Sequence, residues 1–184
     1  FTDMNMAKPK YNLKIGGLSH SQMTAKMMQQ IEKICLRENP NWLLVFGDTN
    51  TTLAGALVAS KLNIKLAHVE AGLRSYNMNM PEEVNRVITD RVSDLLFCPS
   101  SKAVKNLKLE GFNNFSNSKI KNVGDIMYEG AIYFSEQSKK PAALKNDKLK
   151  NYVLATFHRA ETTDRVENLE SIISALNKIN ETSQ

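Results

Sequence analysis

WLLVFGDTNTTLAGALVASKLNIKLAHV, residues 42–69, is the stretch that decides the fold of this 184-residue chain. Residues 42–46 are a continuous apolar run, which is typical of a strand buried on both faces of a sheet. Residues 49–61 then place apolar side chains at helical spacing, and residues 64–69 form a second apolar run. A strand, a helix and a strand in succession predict two parallel strands joined by a right-handed crossover.

The same alternation continues on both sides of this stretch. Helices and strands are predicted in turn at 19–37 (helix), 81–93 (helix), 95–99 (strand), 100–110 (helix), 119–123 (strand), 125–138 (helix), 152–157 (strand) and 165–179 (helix). Strands separated by helices predict an α/β fold of the doubly wound type with a parallel sheet. The charged segment 139–150 is the predicted linker. Residues 1–138 are therefore expected to form one domain without its first strand, and residues 151–184 the start of a second.

Composition narrows the classes of function. The formal net charge is +5, but the lysines are scattered, so a small anionic ligand is favoured over nucleic acid. No apolar run of about 18 residues occurs, so no membrane span is predicted. Neither the 3 His nor the 2 Cys have the spacing of a metal motif, so no metal site is predicted. His68 lies inside a predicted strand and is interpreted as a core residue with satisfied hydrogen bonds.

Polar residues follow three of the predicted strands. Open parallel sheets bind ligands beyond the carboxyl ends of their strands, so the segments GDTNTT, EAGLR and HRAE stand where a ligand would be expected. The candidate groups in these segments are Gly47, Asp48, Thr49, Glu70, Arg74, His158, Arg159 and Glu161.

Several of these groups also have a purely structural interpretation. Asp48 or Thr49 can be the N-cap of the following helix, whereas Gly47 would let the backbone approach a ligand. His158 and Arg159 are either a surface pair or a pair that binds phosphate. No GxGxxG or GxxxxGK[ST] motif occurs, so the usual dinucleotide and Walker phosphate loops are not supported.

A third group of charges lies at the start of the helix predicted from residue 81. Glu82 and Glu83 would be stabilised there by the helix dipole. Glu82, Arg86 and Asp90 fall at positions i, i+4 and i+8 along one face, as on a solvated salt-bridged face. The intervening loop contains a glycine, so Glu82 is also expected to turn back towards Glu70. Carboxylates brought together in a cleft shift each other's pKa, which separates acid from base roles.

Four motifs taken together resemble one family. They are VFGDTNTTLAGALVASKLNIKLAHVEAGLRS from residue 45, MPEEVNRVITDRVSDLLFCPS from residue 80, NVGDIMYEGA from residue 122 and ATFHRAE from residue 155. From about Asn12 onward, their order and spacing resemble the non-hydrolysing UDP-N-acetylglucosamine 2-epimerases. The resemblance implies a GT-B fold, in which two Rossmann-like domains hold the sugar nucleotide between them. It also implies a cytoplasmic homodimer that makes precursors of surface polysaccharide without a cofactor.

The resemblance assigns expected roles to individual residues. The functional acids of the family fall on Asp48, Glu70 and Glu82, and its functional histidine on His158. Substrate binding is expected of Gly47, Thr49, Arg74, Arg86, Arg159 and Glu161. The opening strand of the family, with its Gly-Thr-Arg-Pro-Glu turn, and its later Ser-Gly-Gly segment do not occur in this sequence. The chain is therefore expected to be incomplete at both ends and inactive by itself.

Other functions stay open at this point. A hydrolysing epimerase would release free N-acetylmannosamine and UDP. The loop RSYNMNMPEE from residue 74, together with the basic balance, suits an epimerase of UDP-2,3-diacetamido-2,3-dideoxy-glucuronic acid. A GT-B glycosyltransferase is opposed by the three matched carboxylates, and a nucleotide-binding module without catalysis fits a partial chain.

Overall fold

The computed structural model describes residues 6–114, 118–139, 141, 153–157 and 160–182. The chain divides into two compact units, the first ending at Gln137 and the second beginning at Ser138.

The first unit is built around four parallel strands. They are β1 (Trp42–Phe46), β2 (Lys65–Val69), β3 (Leu95–Cys98) and β4 (Lys119–Asn122), and they are hydrogen-bonded in the order β1-β2-β3-β4. The helices of this unit are α1 (His20–Glu38), α2 (Asn50–Lys61), α3 (Pro81–Val92), α4 (Ser101–Leu109) and α5 (Ile126–Ser135), with a 3-10 turn at Phe112–Asn114. The predicted α/β class with a parallel sheet is confirmed.

Local sequence accounts for where these helices begin. The Ser19 hydroxyl accepts from the N–H of Gln22 and completes a capping box at the start of α1. The hydroxyls of Thr49 and Ser100 cap α2 and α4 in the same way. Helix α3 has Pro81 at its first position, where the missing N–H removes no helical hydrogen bond.

Two small apolar clusters hold the helices to the sheet. One joins β3, α4 and the 3-10 turn and contains Ala71, Leu96, Cys98, Ala103, Leu107 and Phe112. The other joins β1, β2 and α2 and contains Val45, Ala56, Ala59 and Leu66. Helix α2 lies close against β1, because a Cβ atom on Gly55 would stand only 3.0 Å from Cγ1 of Val45. These contacts fix the carboxyl ends of β1 and β2 relative to α2.

The prediction that the first strand is buried on both faces is wrong for the described residues. Val45 is buried, but Trp42, Leu44 and Phe46 are about half exposed, at 48%, 50% and 53%. The cause is coverage of one face only, because helix α2 packs against the face that carries Val45 and no described residue buries the other.

The described residues of the second unit form two helices, α6 (Ala160–Thr163) and α7 (Val166–Thr182). The helix predicted at 165–179 is confirmed. Residues 153–157, predicted as part of a strand, are exposed and form no strand. A strand requires a hydrogen-bonded neighbour, and the described part of this unit contains no other strand. None of the helices described in either unit is long and apolar enough to cross a membrane.

Candidate active site

Gly47 forms the turn between β1 and α2 with φ +63°, a conformation that favours glycine. A Cβ atom at this position would lie 3.0 Å from Oε2 of Glu70. The glycine therefore makes room for the Glu70 carboxylate at the ends of β1 and β2.

Glu70 follows β2 directly and is itself in the left-handed region, with φ +73°. Its side chain is half-buried. Burial raises the pKa of this carboxyl, and the negative charges of Asp48 and Asp125 raise it further. A carboxyl whose pKa is raised towards neutrality is suited to accept and return a proton. A non-glycine residue in this conformation is also a common feature of functional sites.

Asp48 is the second carboxylate of the site, and Arg86 donates to it through Nη2 at 2.5 Å. The Asp48 carbonyl accepts from Nδ2 of Asn85 at 2.8 Å. Because Thr49 caps α2, the Asp48 carboxylate is not used as the helix cap. The sequence left open whether Asp48 or Thr49 is the N-cap of α2, and in the structure the N-cap is Thr49.

Arg86 reaches two carboxylates from helix α3. Its Nη1 lies 3.3 Å from Oε2 of Glu83, and its Nη2 binds Asp48. Its Nε is buried and has no hydrogen-bond partner among the described residues. A buried donor without a partner is rare in folded proteins.

Glu83, rather than Glu82, is the carboxylate of α3 that turns inward. It is 1% exposed and accepts from the N–H groups of Ser75 and Tyr76 at 2.8 to 3.0 Å. Burial alone would raise the pKa of Glu83, but these two N–H groups and Arg86 outweigh it and lower the pKa. Glu82 is exposed on the first turn of α3, and no hydrogen bond or ion pair joins it to Glu70 in the described chain. The catalytic role expected of Glu82 stays a prediction.

Arg74 is buried beneath the site instead of facing a ligand. Its side chain is 2% exposed, and its Nε and Nη2 donate to the two carboxylate oxygens of Glu110, both at 2.7 Å. Its Nη1 donates to Asp90 and to the carbonyl of Leu73. Arg74 thus contacts the protein's own acceptors in this structure, and its expected contact with substrate stays a prediction.

His68 has partners on both ring nitrogens, as expected of a satisfied core histidine. Its side chain is fully buried, with Nδ1 2.7 Å from Oδ1 of Asp90 and Nε2 2.8 Å from the carbonyl oxygen of Gly47. The same Asp90 accepts from the N–H of Gly72 through Oδ2. This histidine therefore links helix α3 to the turn that carries Asp48.

Several residues of this arrangement were not predicted from sequence. They are Glu83, Asn85, Asp90 and Glu110. A signal for part of the set exists, since Glu83, Arg86 and Asp90 recur along one face of α3 at positions i, i+3 and i+7. Glu110 carries no such signal, because it lies 36 residues from its partner Arg74.

Three predicted site residues cannot be placed by their side chains. His158 and Arg159 lie outside the described residues, and Glu161 belongs to α6 without a described side chain. In the remainder of the described chain, no group of three or more His, Cys, Asp or Glu side chains is arranged to hold a metal ion.

The parallel α/β unit that carries Asp48 and Glu70 at the ends of β1 and β2 is Rossmann-like, and its structural neighbours are proteins of the GT-B class. A family model for UDP-N-acetylglucosamine 2-epimerase matches residues 1–184, and the chain belongs to this family. The resemblance read from the four motifs is confirmed.

Individual relatives agree with this assignment. UDP-2,3-diacetamido-2,3-dideoxy-D-glucuronate 2-epimerase of Pseudomonas aeruginosa is 51% identical over 179 residues, which are 97% of this chain and 50% of that protein. A UDP-N-acetylglucosamine 2-epimerase of Methanocaldococcus jannaschii is 45% identical over 184 residues, which cover 97% of this chain and 50% of that protein. The crystal structure of M. jannaschii UDP-GlcNAc 2-epimerase with UDP-GlcNAc and UDP superposes with a TM-score of 0.86 at 44% identity, covering 100% of this chain and 51% of that one. The chain thus spans about half the length of these relatives.

Proposed function

We propose that the protein containing this chain interconverts UDP-N-acetylglucosamine and UDP-N-acetylmannosamine. The observation that carries the proposal is the placement of Glu70, with its raised pKa, above Gly47 and near the Arg86-bound Asp48. Family membership over the whole chain supports it, as does the likeness to an M. jannaschii enzyme described with UDP-GlcNAc and UDP bound.

The chemistry of the substrate requires an elimination. The hydrogen on C2 of the sugar is not next to a carbonyl, so its direct removal as a proton would be very costly. In the proposed step a base takes the C2 proton, the C2–H electron pair becomes the C1–C2 double bond, and the C1–O bond breaks with its electrons leaving on UDP. Return of a proton to the opposite face of C2, with re-formation of the C1–O bond, completes the epimerisation.

The described residues divide naturally between these tasks. Glu70 is the described carboxylate best suited to exchange a proton, because its pKa is raised. Asp48, with its charge matched by Arg86, would stabilise positive charge that develops on the ring. Glu82, on the first turn of α3, would supply the second proton. His158 and Arg159 would bind the diphosphate.

A single experiment tests this function. The full-length protein is incubated with UDP-N-acetylglucosamine in deuterated water and followed by NMR. Deuterium at C2 of both epimers, with UDP still attached at equilibrium, is the expected result. Free N-acetylmannosamine would instead indicate a hydrolysing epimerase, and turnover only with an added acceptor would indicate a glycosyltransferase. Epimerisation without deuterium at C2 would contradict the elimination.

A second substrate has a specific observation in its favour. The relative that is 51% identical over 179 residues is a 2-epimerase of UDP-2,3-diacetamido-2,3-dideoxy-D-glucuronate. That sugar carries an extra carboxylate, which suits the positive formal charge of +5. A comparison of kcat/KM for the two UDP-sugars decides between them, and a ratio above about 100 in either direction would name the substrate.

The wider organisation is proposed on the same basis. Residues 1–138 would form most of the N-terminal Rossmann-like domain, and residues 151–184 would begin the C-terminal one. The protein would be a cytoplasmic homodimer. Light scattering of the full-length protein measures its oligomeric state directly.

A further inference from the structure

A buried row of charged groups lies beneath the candidate site. It runs from the Gly47 carbonyl through His68 and Asp90 to Arg74 and Glu110, with successive contacts of 2.7 to 2.8 Å. His68 and Asp90 are fully buried, and the Arg74 side chain is 2% exposed. None of these three groups is used in the proton transfers proposed above.

Both ring nitrogens of His68 have partners, and these partners lie on different elements. Nε2 faces the Gly47 carbonyl oxygen, which can only accept, so Nε2 donates to it. Nδ1 faces Oδ1 of Asp90 on helix α3, whose other oxygen accepts from the Gly72 N–H and from Arg74. The imidazole therefore joins α3 to the turn at Gly47.

The groups of this row are paired with one another. Arg74 contacts both Asp90 and Glu110, and Asp90 also contacts His68. Buried charges are retained when they are paired and fully hydrogen-bonded, and removal of one member leaves a partner uncompensated.

The same row holds the backbone on both sides of the carboxylate pair. The Gly47 carbonyl accepts from His68, and the Gly47 N–H donates to Val69 at 3.1 Å. On the other side, Asp90 accepts from the Gly72 N–H, two residues after Glu70. Asp48 and Glu70 thus stand on turns that are anchored by His68 and Asp90.

We propose that His68 is a positioning residue: its imidazole, with Asp90, holds the Gly47 turn and so sets the distance between Asp48 and Glu70. The kinetic consequence of this assignment rests on the proposed function, whereas the contacts of His68 do not. A displacement of about 1 Å in a reacting group can lower a rate by about 10²-fold.

Two variants of the full-length protein separate the contacts of His68. In His68→Gln the side-chain amide can still donate towards the Gly47 carbonyl, whereas in His68→Asn the amide nitrogen lies near the former Nδ1 and falls short of Gly47. We expect kcat to fall about 100-fold in His68→Asn and less than about 10-fold in His68→Gln, with KM changed less than about 3-fold in both. Equal losses in the two variants, or wild-type kcat in His68→Asn, would overturn the proposal.

Asp94→Asn is the matched control. The Asp94 carboxylate accepts from the Leu66 N–H at 2.8 Å, so it anchors the opposite end of the same strand. Its replacement should lower the melting temperature and leave kcat unchanged. A loss of kcat as large as that of His68→Asn would mean that any weakening of β2 slows the reaction, and the positioning role would fail.

NMR of the ¹⁵N-labelled full-length protein tests the positioning role without turnover. Should the wild type epimerise no UDP-sugar, the proposed function fails by itself, and the amide shifts of Asp48 and Glu70 then decide the positioning role. They should move in His68→Asn and not in Asp94→Asn, and the reverse would overturn it.

Discussion

The carboxylate of Glu70 occupies the space that a side chain on Gly47 would fill, since Oε2 stands 3.0 Å from the position of the missing Cβ. The two residues lie at the ends of neighbouring strands and depend on each other. Gly47 has φ +63°, and Glu70 has φ +73°. The position of the proposed base is thus determined by a glycine more than twenty residues away in sequence.

Gly47→Ala tests this dependence. The substitution combines an unfavourable backbone conformation with a close contact to Glu70, so we expect a loss of about 1–3 kcal/mol in unfolding free energy and at least a tenfold fall in kcat. Gly130→Ala is the control, because a Cβ atom there meets nothing within 4 Å and the residue lies in helix α5. Denaturant unfolding of Gly130→Ala should show about 0.5–1 kcal/mol of added stability. Equal effects of the two substitutions would contradict the assigned role of Gly47.

Glu70→Gln should abolish turnover and leave binding of the UDP-sugar largely intact. The amide keeps the shape of the carboxyl but cannot take a proton, so a fall in kcat of at least about 100-fold is expected. Isothermal titration with UDP-N-acetylglucosamine measures the binding separately. Near-normal turnover in Glu70→Gln would remove Glu70 from the proton transfers.

The difference in stability between Glu70→Gln and the wild type should depend on pH. Burial and the charges of Asp48 and Asp125 raise the folded-state pKa of Glu70, so its ionisation destabilises the fold. The stabilising effect of the neutral form is complete below the unfolded pKa of about 4.3 and is lost as pH rises through the folded value. The variant should therefore match the wild type in melting temperature near pH 4 and exceed it at pH 8. A difference in melting temperature that grows towards low pH would mean that the folded-state pKa of Glu70 is lowered instead of raised.

Glu82 and Glu83 are adjacent in sequence, but their replacement by Gln should have different effects on stability. Glu83→Gln loses charged hydrogen bonds to Ser75 and Tyr76, which predicts a loss of about 1.5–3 kcal/mol at pH 7. Because the folded pKa of Glu83 is lowered, this loss should shrink as pH falls below about 4.3 and through the folded value. Exposed Glu82→Gln should change stability by less than about 0.5 kcal/mol.

The activities of these two variants complete the comparison. Glu82→Gln should lower kcat although the fold is unaffected, since the family resemblance assigns it a proton transfer. Urea unfolding and initial-rate assays on the same preparations measure both properties. Full activity in Glu82→Gln would show that Glu82 takes no part in the proton transfers.

Cys98 should not react with alkylating reagents in the folded protein. Its side chain is fully buried, and burial together with the negative charge of Asp90 raises the pKa of the thiol to about 12. Reactivity requires the thiolate, which is scarce at pH 8 when the pKa is this high. Peptide mass spectrometry after iodoacetamide treatment should find Cys98 unmodified before unfolding in guanidinium and modified after it. Rapid modification of the native protein would contradict the burial.

The order of elements could be predicted because it depends on local patterns. The run at 42–46 coincides with β1, and Pro81 begins α3 as its position in the sequence indicates. The strand-end rule also located Asp48 and Glu70 correctly at neighbouring turns, because parallel strands bring their carboxyl ends to one edge of the sheet. The predicted burial of β1 on both faces was wrong for a related reason, since burial of a strand depends on which elements cover it and not on its own residues.

What the sequence by itself determined is therefore the parallel α/β framework and the strand ends at which polar groups gather. The tertiary structure alone decided which groups face the site and which support it. Glu83 instead of Glu82 turns inward because of how α3 is rotated against the sheet, and no local pattern records that rotation. Arg74 meets Glu110 across 36 residues, and buried charges of this kind pair with whatever partner the packing brings near.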